Sequence, residues 1–215
     1  MTAVFNVGRF NALLGVARPG LGQHVTWQKS FLCPCRSPTS GAAQQGCPVC
    51  AGRGVAWDGP VPAWTGLAGM KIAREWALFG EWMSGDLVVT IPSDSPLYAV
   101  GENDRVNFTD SSEPFSSVLM GGVDVLAFPA TVIDRVVWRD QITRQIVPGG
   151  IPSEAANGTL TWTSGAPPAG VQYSISGRRI PQYFMFKELV QDRHHSGGLA
   201  LPRRSALRRW DLFGR

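Results

Sequence analysis

Ser84-Gly85-Asp86-Leu87-Val88-Val89-Thr90-Ile91 joins a tight-turn signal to a run of β-branched and aliphatic residues. Such residues pack best on a pleated surface, so the chain leaving this turn is expected to be a strand of a hairpin. Upstream, between 69 and 82, Met70, Ile72, Trp76, Leu78 and Trp82 fall on even positions and Lys71, Glu75 and Glu81 on odd ones, with Arg74 and Phe79 as exceptions, so the period is roughly that of a strand. Ile72, Ala73, Trp76, Ala77 and Gly80 would equally line one face of a helix, and only the turn that follows favours the strand. Downstream, short apolar runs bounded by Gly, Pro, Asn or Asp predict strands at 97–100, 105–108, 117–119, 123–128, 131–138, 144–147, 159–163, 171–176 and 183–189. Asn103-Asp104-Arg105 reads as a tight turn whose acid and base could pair.

The chain has 215 residues, 44% of them hydrophobic and 17% charged, enough to bury a real core. With 25 Gly and 16 Pro it is punctuated too often for long helices. No segment has the apolar length of a membrane-spanning helix. The expected fold class is therefore mainly β: a sandwich or barrel-like body over 64–190, with a small stapled module at 33–57. Extended arms are expected at the two ends, 1–32 and 191–215. The N-terminal arm carries apolar Val4, Phe5, Phe10, Leu13, Leu14 and Val16 between glycines and almost no charge, and a segment of that kind cannot bury itself. Asn107-Phe108-Thr109 and Asn157-Gly158-Thr159 match the glycosylation sequon, but the first residues resemble no secretory signal and both matches are read as chance.

The only four cysteines lie within 18 residues, as Cys33-Pro34-Cys35 and Cys47-Pro48-Val49-Cys50. Two short chelating pairs joined by a small-residue loop can bring four thiolates onto one tetrahedral ion, with Zn²⁺ the expected metal. Ala51-Gly52 after the second pair frees backbone N–H groups to face the sulfurs. The one-residue spacing of Cys33 and Cys35 makes a tighter chelate, so the alternatives are free thiols or two disulfides, the latter disfavoured in the reducing cytosol that the missing signal segment implies. Zinc held by four thiolates has no open coordination position and staples the loop around it.

Charge is placed unevenly. Residues 178–215 hold nine Lys and Arg against three acids, a balance of +6, so the preceding residues hold eleven against thirteen, a balance of −2. The C-terminal arm is thus expected to touch something acidic, with Arg203, Arg204, Arg208 and Arg209 facing carboxylates or phosphates and Trp210 and Phe213 as buried anchors on a neighbour. A search for catalysis finds His24, His194 and His195 without a nucleophile or acid pair beside them in sequence. No nucleophile elbow, phosphate loop or zinc-protease motif is present, so the chain is not expected to be an enzyme.

The segments Gly85-Asp86-Leu87-Val88-Val89-Thr90-Ile91-Pro92-Ser93-Asp94-Ser95-Pro96-Leu97-Tyr98, Gly101-Glu102-Asn103-Asp104-Arg105-Val106, Pro168-Ala169-Gly170-Val171-Gln172-Tyr173-Ser174-Ile175, Pro181-Gln182-Tyr183-Phe184 and Leu201-Pro202-Arg203-Arg204, together with the cysteine cluster, resemble virion structural proteins of tailed bacteriophages. More narrowly they resemble head-to-tail connector, or neck, proteins. The resemblance implies a homo-oligomeric ring between portal and tail proteins, in the virion and, during assembly, the host cytoplasm. Contact with DNA passing through the channel would go with that position. The alternative from another class is a zinc-containing nucleic-acid-binding protein, suggested by the Cys₄ module and the Arg-rich end, although the module itself carries only Arg36 and Arg53.

Overall fold

In the computed structural model the described residues are 6–16, 20–67, 82–154, 158–189, 195–196 and 198–213. The strand-or-helix alternative over 69–82 falls outside them but for Trp82, and His194 lies outside as well. The chain divides into two units, Met1–Asp110 with Gln182–Arg215, and Ser111–Pro181. The single body expected over 64–190 is therefore a barrel interrupted by an insertion.

The first unit begins with α1 (Val7–Leu14), capped by Asn6, whose side chain accepts from the Arg9 N–H at 2.9 Å. It continues through β1 (Gln23–Gln28), β2 (Ser30–Leu32), β3 (Val55–Trp57), β4 (Val61–Leu67), β5 (Leu87–Ile91) and β6 (Arg105–Phe108). After the insertion come β13 (Gln182–Glu188), β14 (His195–Ser196), β15 (Leu199–Ala200) and β16 (Arg203–Arg209). Six of these strands close an antiparallel barrel in the order β1-β4-β5-β16-β13-β6. Alternate residues Val106 and Phe108 of β6, Val89 and Ile91 of β5, and Tyr183 and Met185 of β13 meet Val25 and Leu207 inside it. Closure leaves these strands no free edge.

The turn read at Ser84-Gly85 is present, with Gly85 at φ +91° and a would-be Cβ 2.5 Å from Arg209 Cδ, so only glycine fits. Residues 97–100 were expected to be a strand. Residues 97–99 fall instead in a 3₁₀ turn, Pro96–Ala99, with Val100 as its C-cap, because Ser95 caps it through the Leu97 N–H and Pro96 supplies its fixed φ; Leu97 is driven fully into the barrel core.

Both arms need correction. The N-terminal region supplies a helix and a barrel strand: α1 buries Val7 and Asn11, and Asn11 donates to Ser93 Oγ at 2.8 Å. Its Leu14 lies so close to β4 that a Cβ on Gly66 would meet it at 2.5 Å. The C-terminal region supplies β16, hydrogen-bonded between β5 and β13, and its Leu207 lies in the barrel core.

The second unit holds β7 (Glu113–Met120), β8 (Ala130–Arg139), β9 (Ile146–Pro148), β10 (Ser153–Glu154), β11 (Leu160–Thr161) and β12 (Gln172–Arg179). Its main sheet runs β7-β12-β8-β9, antiparallel throughout, and β10 pairs with β11. Phe115, Val136, Tyr173 and Ile175 from its inner face pack with Leu126 and Leu160. The strand expected at 123–128 is reduced to isolated bridges at Val123 and Val125. There Asp124 is committed to a side-chain contact, accepting from the Tyr173 hydroxyl at 2.6 Å.

Candidate metal centre

β2 and β3 form a short ribbon with Ser30 opposite Trp57, Phe31 opposite Ala56 and Leu32 opposite Val55. The ribbon delivers Cys33 at its end, where the Cys33 N–H bonds Gly54 O at 2.9 Å. The chain then turns through Cys35, folds over residues 36–46 and returns through Cys47 and Cys50. Ala51 at φ +49°, Gly52 at +82° and Gly54 at +74° bend the second knuckle, where Ala51 N–H bonds Cys47 O and Arg53 N–H bonds Cys50 O. The four expected ligands are thus brought together. Their sulfurs all lie within 4.8 Å of one another, with Cys33 to Cys47 at 3.7 Å and Cys35 to Cys50 at 3.5 Å. A tetrahedral ion with metal–sulfur bonds of about 2.3 Å needs sulfurs about 3.8 Å apart. All four cysteines are free thiols, so the disulfide alternative does not describe this structure.

The electrostatics match the geometry. N–H groups of Cys50 and Val49 aimed at the Cys47 sulfur hold its pKa down to about 6. Cys35 goes the other way, to about 12: an N–H from Gln44 favours its thiolate, but burial and the sulfurs of Cys50, Cys33 and Cys47 outweigh it. Four thiolates cannot ionise side by side without a compensating cation, and a metal ion at their centre is such a cation. Three of the four are buried, and the only other buried member of their cluster is Ala56. The donor set and spacing fit a metal ion, and a site closed by four sulfurs holds structure together.

Of the residues expected to grip a neighbour, most are engaged within the chain. Arg203 pairs with Glu188 through two bonds, at 2.9 and 2.7 Å, and donates to Tyr98 O. Arg208 pairs with buried Asp86 at 3.0 Å and lies 3.6 Å over the Phe186 ring, Arg209 is 3.4 Å from Asp211, and Arg204 is exposed. Trp210 begins a 3₁₀ turn (Trp210–Leu212) and stacks on Phe213; both meet Trp57 of the cysteine module's return strand edge to face, 4.9 Å from Trp210 and 5.4 Å from Phe213. Phe213 also packs on Phe184 of β13 at 5.0 Å. The anchors are therefore intramolecular here: they fasten the module and the chain end to the barrel.

Sequence reasoning missed Asp104. It was read as an exposed turn residue paired with Arg105, yet its carboxylate is fully buried. It accepts from Trp27 Nε1 at 2.8 Å, from Ser30 N–H and Oγ at 2.8 Å each, and from Gly101 N–H at 2.9 Å, with Lys29 Nζ at 3.3 Å. It ties the start of the metal ribbon to the barrel. The available signal was Asn103 before it, a residue type that tolerates the left-handed backbone it adopts here, φ +67°. No protein-family model matches the chain, and no match was found among curated proteins.

Proposed function

We propose that this protein is a structural component of a tailed-bacteriophage virion, a connector subunit that assembles with copies of itself into a ring between portal and tail. The observation that carries the reading, beside the sequence resemblance, is the outer face of the inserted sheet. One cross-strand row there reads Val118, Ser174, Val137, Pro148, and neighbouring Met120 and Ile146 also project outward. Val118 and Ile146 are 66% and 62% exposed. On a solvated sheet these positions are polar; this apolar row, bordered on the same face by Arg135, Arg139 and Gln172, is suited to burial against another protein. The metal is zinc on this reading, since four thiolates in tetrahedral spacing favour it and a rigid loop needs no redox change. The nucleic-acid alternative draws less support: Arg36 is folded back onto Gly41 O at 2.8 Å, which leaves Arg53 as the module's outward cation.

Light scattering coupled to size exclusion, with electron-microscope class averages, tests the ring. A closed oligomer that persists in 1 M salt is expected, because apolar faces hold it; a monomer, or an assembly that binds DNA and dissolves in salt, would overturn the reading. Elemental analysis is expected to give one zinc per chain.

A further inference from the structure

Beside the metal module, the barrel carries a cleft of about 530 Å³. Its walls are aromatic, Phe184, Phe186 and Phe213, and its rim holds Arg53, Arg208 and Glu102. The volume lies in the range of small-ligand sites. Arg208 is already paired with Asp86, and its guanidinium covers Phe186. Arg53 differs: its backbone is held by the second knuckle through Cys50 O, and among the described residues its guanidinium has no carboxylate partner. Arg105 nearby is also without one; it lies 4.4 Å over Trp210, donates to Gln182 Oε1, and its buried Nε has no acceptor. Burial, and after it the Arg53 charge, pull the Arg105 guanidinium below its ordinary pKa. With Arg208 neutralised by Asp86, Arg53 and Arg105 against Glu102 leave a net positive charge here.

We infer that this cleft receives a peptide segment of a partner protein carrying a carboxylate next to an aromatic or aliphatic side chain, the carboxylate on Arg53 and the apolar group against Phe184, Phe186 and Phe213. Charge complementarity selects the carboxylate and the phenyl walls select its neighbour. Glu102 on the same rim argues for a peptide over a nucleic acid strand: a carboxylate repels a run of phosphates but accepts a backbone N–H or a cationic residue of mixed-charge peptide. The inference rests on the connector reading only for the owner of the peptide, a neighbouring virion protein.

The test is calorimetric titration of the full-length, metal-loaded protein with an acetylated and amidated pentapeptide of sequence EDFDL, its neutral counterpart QNFNL, and a ten-nucleotide oligo-dT. EDFDL is expected to bind about tenfold or more tightly than QNFNL, as a charge-assisted bond requires. Arg53→Gln is expected to erase that difference, Arg53→Lys to retain most of it, and both to melt like the parent protein, because the side chain is exposed and the residue is held through its backbone N–H on Cys50 O. Equal binding of the two peptides, binding of neither at millimolar concentration, indifference to Arg53→Gln, or tighter binding of oligo-dT would each overturn the inference. Ring formation is scored on the same samples by light scattering. A ring that binds no peptide removes the cleft and leaves the connector, and a peptide-binding monomer does the reverse.

Discussion

Asp104 is the side chain on which the junction between barrel and metal ribbon turns. A carboxylate can accept from every donor around it, whereas an amide in its place turns an NH₂ toward Trp27, Gly101 and Lys29 or toward Ser30. Asp104→Asn is therefore expected to destabilise the protein by about 2–4 kcal/mol, read as a lower urea midpoint with unchanged slope. The near-UV dichroism of Trp27 is expected to weaken with it. The cysteines make the complementary case. Cys47→Ser or Cys50→Ser removes a thiolate from a closed set of four and is expected to release the metal, while far-UV dichroism shows the barrel intact. An unaltered metal content would mean that the ion sits elsewhere.

At the scale of the element, the four-cysteine module has little apolar core of its own to hold it. Its ribbon has three residue pairs, its core is the cysteines with Ala56, and Leu32 and Val49 are exposed. Chelation is expected to open residues 33–54 to protease first, with barrel fragments surviving on a gel; cleavage starting within the inserted sheet would contradict this. Because Trp57 on the return strand touches Trp210 and Phe213, chelation is also expected to shift the tryptophan emission to the red as that stack loosens. Much of this element was legible in the sequence, since two chelating pairs and small knuckle residues act over a few bonds. The stack was not, because no local pattern links residue 57 to residue 210.

For the whole molecule, the position of β16 decides what a truncation does. Removing 199–215 takes a strand from between β5 and β13, strips Asp86 of its partner Arg208 and opens the barrel, so no cooperative melting transition is expected. Removing only 210–215 keeps all six strands and uncovers Trp57 and Phe184. That chain is expected to fold with stability lower by about 2–4 kcal/mol, in line with the loss of well-packed aromatic side chains. If the longer truncation melted like the parent protein, the barrel order described above would be wrong.

The sequence by itself determined the mainly β class, the turn at Ser84-Gly85, the strands at β5, β6, β8 and β12 to within a few residues, and the four-cysteine cluster. Each of these follows from alternation, turn chemistry or chelate spacing, interactions among neighbours in the chain. Only the tertiary structure decided that the two supposed arms are barrel parts, that residues 111–181 form an inserted unit, and that Arg203 and Arg208 answer Glu188 and Asp86 within the chain. An apolar, arginine-rich strand has the same local pattern whether its partner is another subunit or a strand of its own barrel. Asp86 and Arg208 are 122 residues apart, and what unites them is barrel closure, a long-range pairing whose partners alternation leaves unspecified.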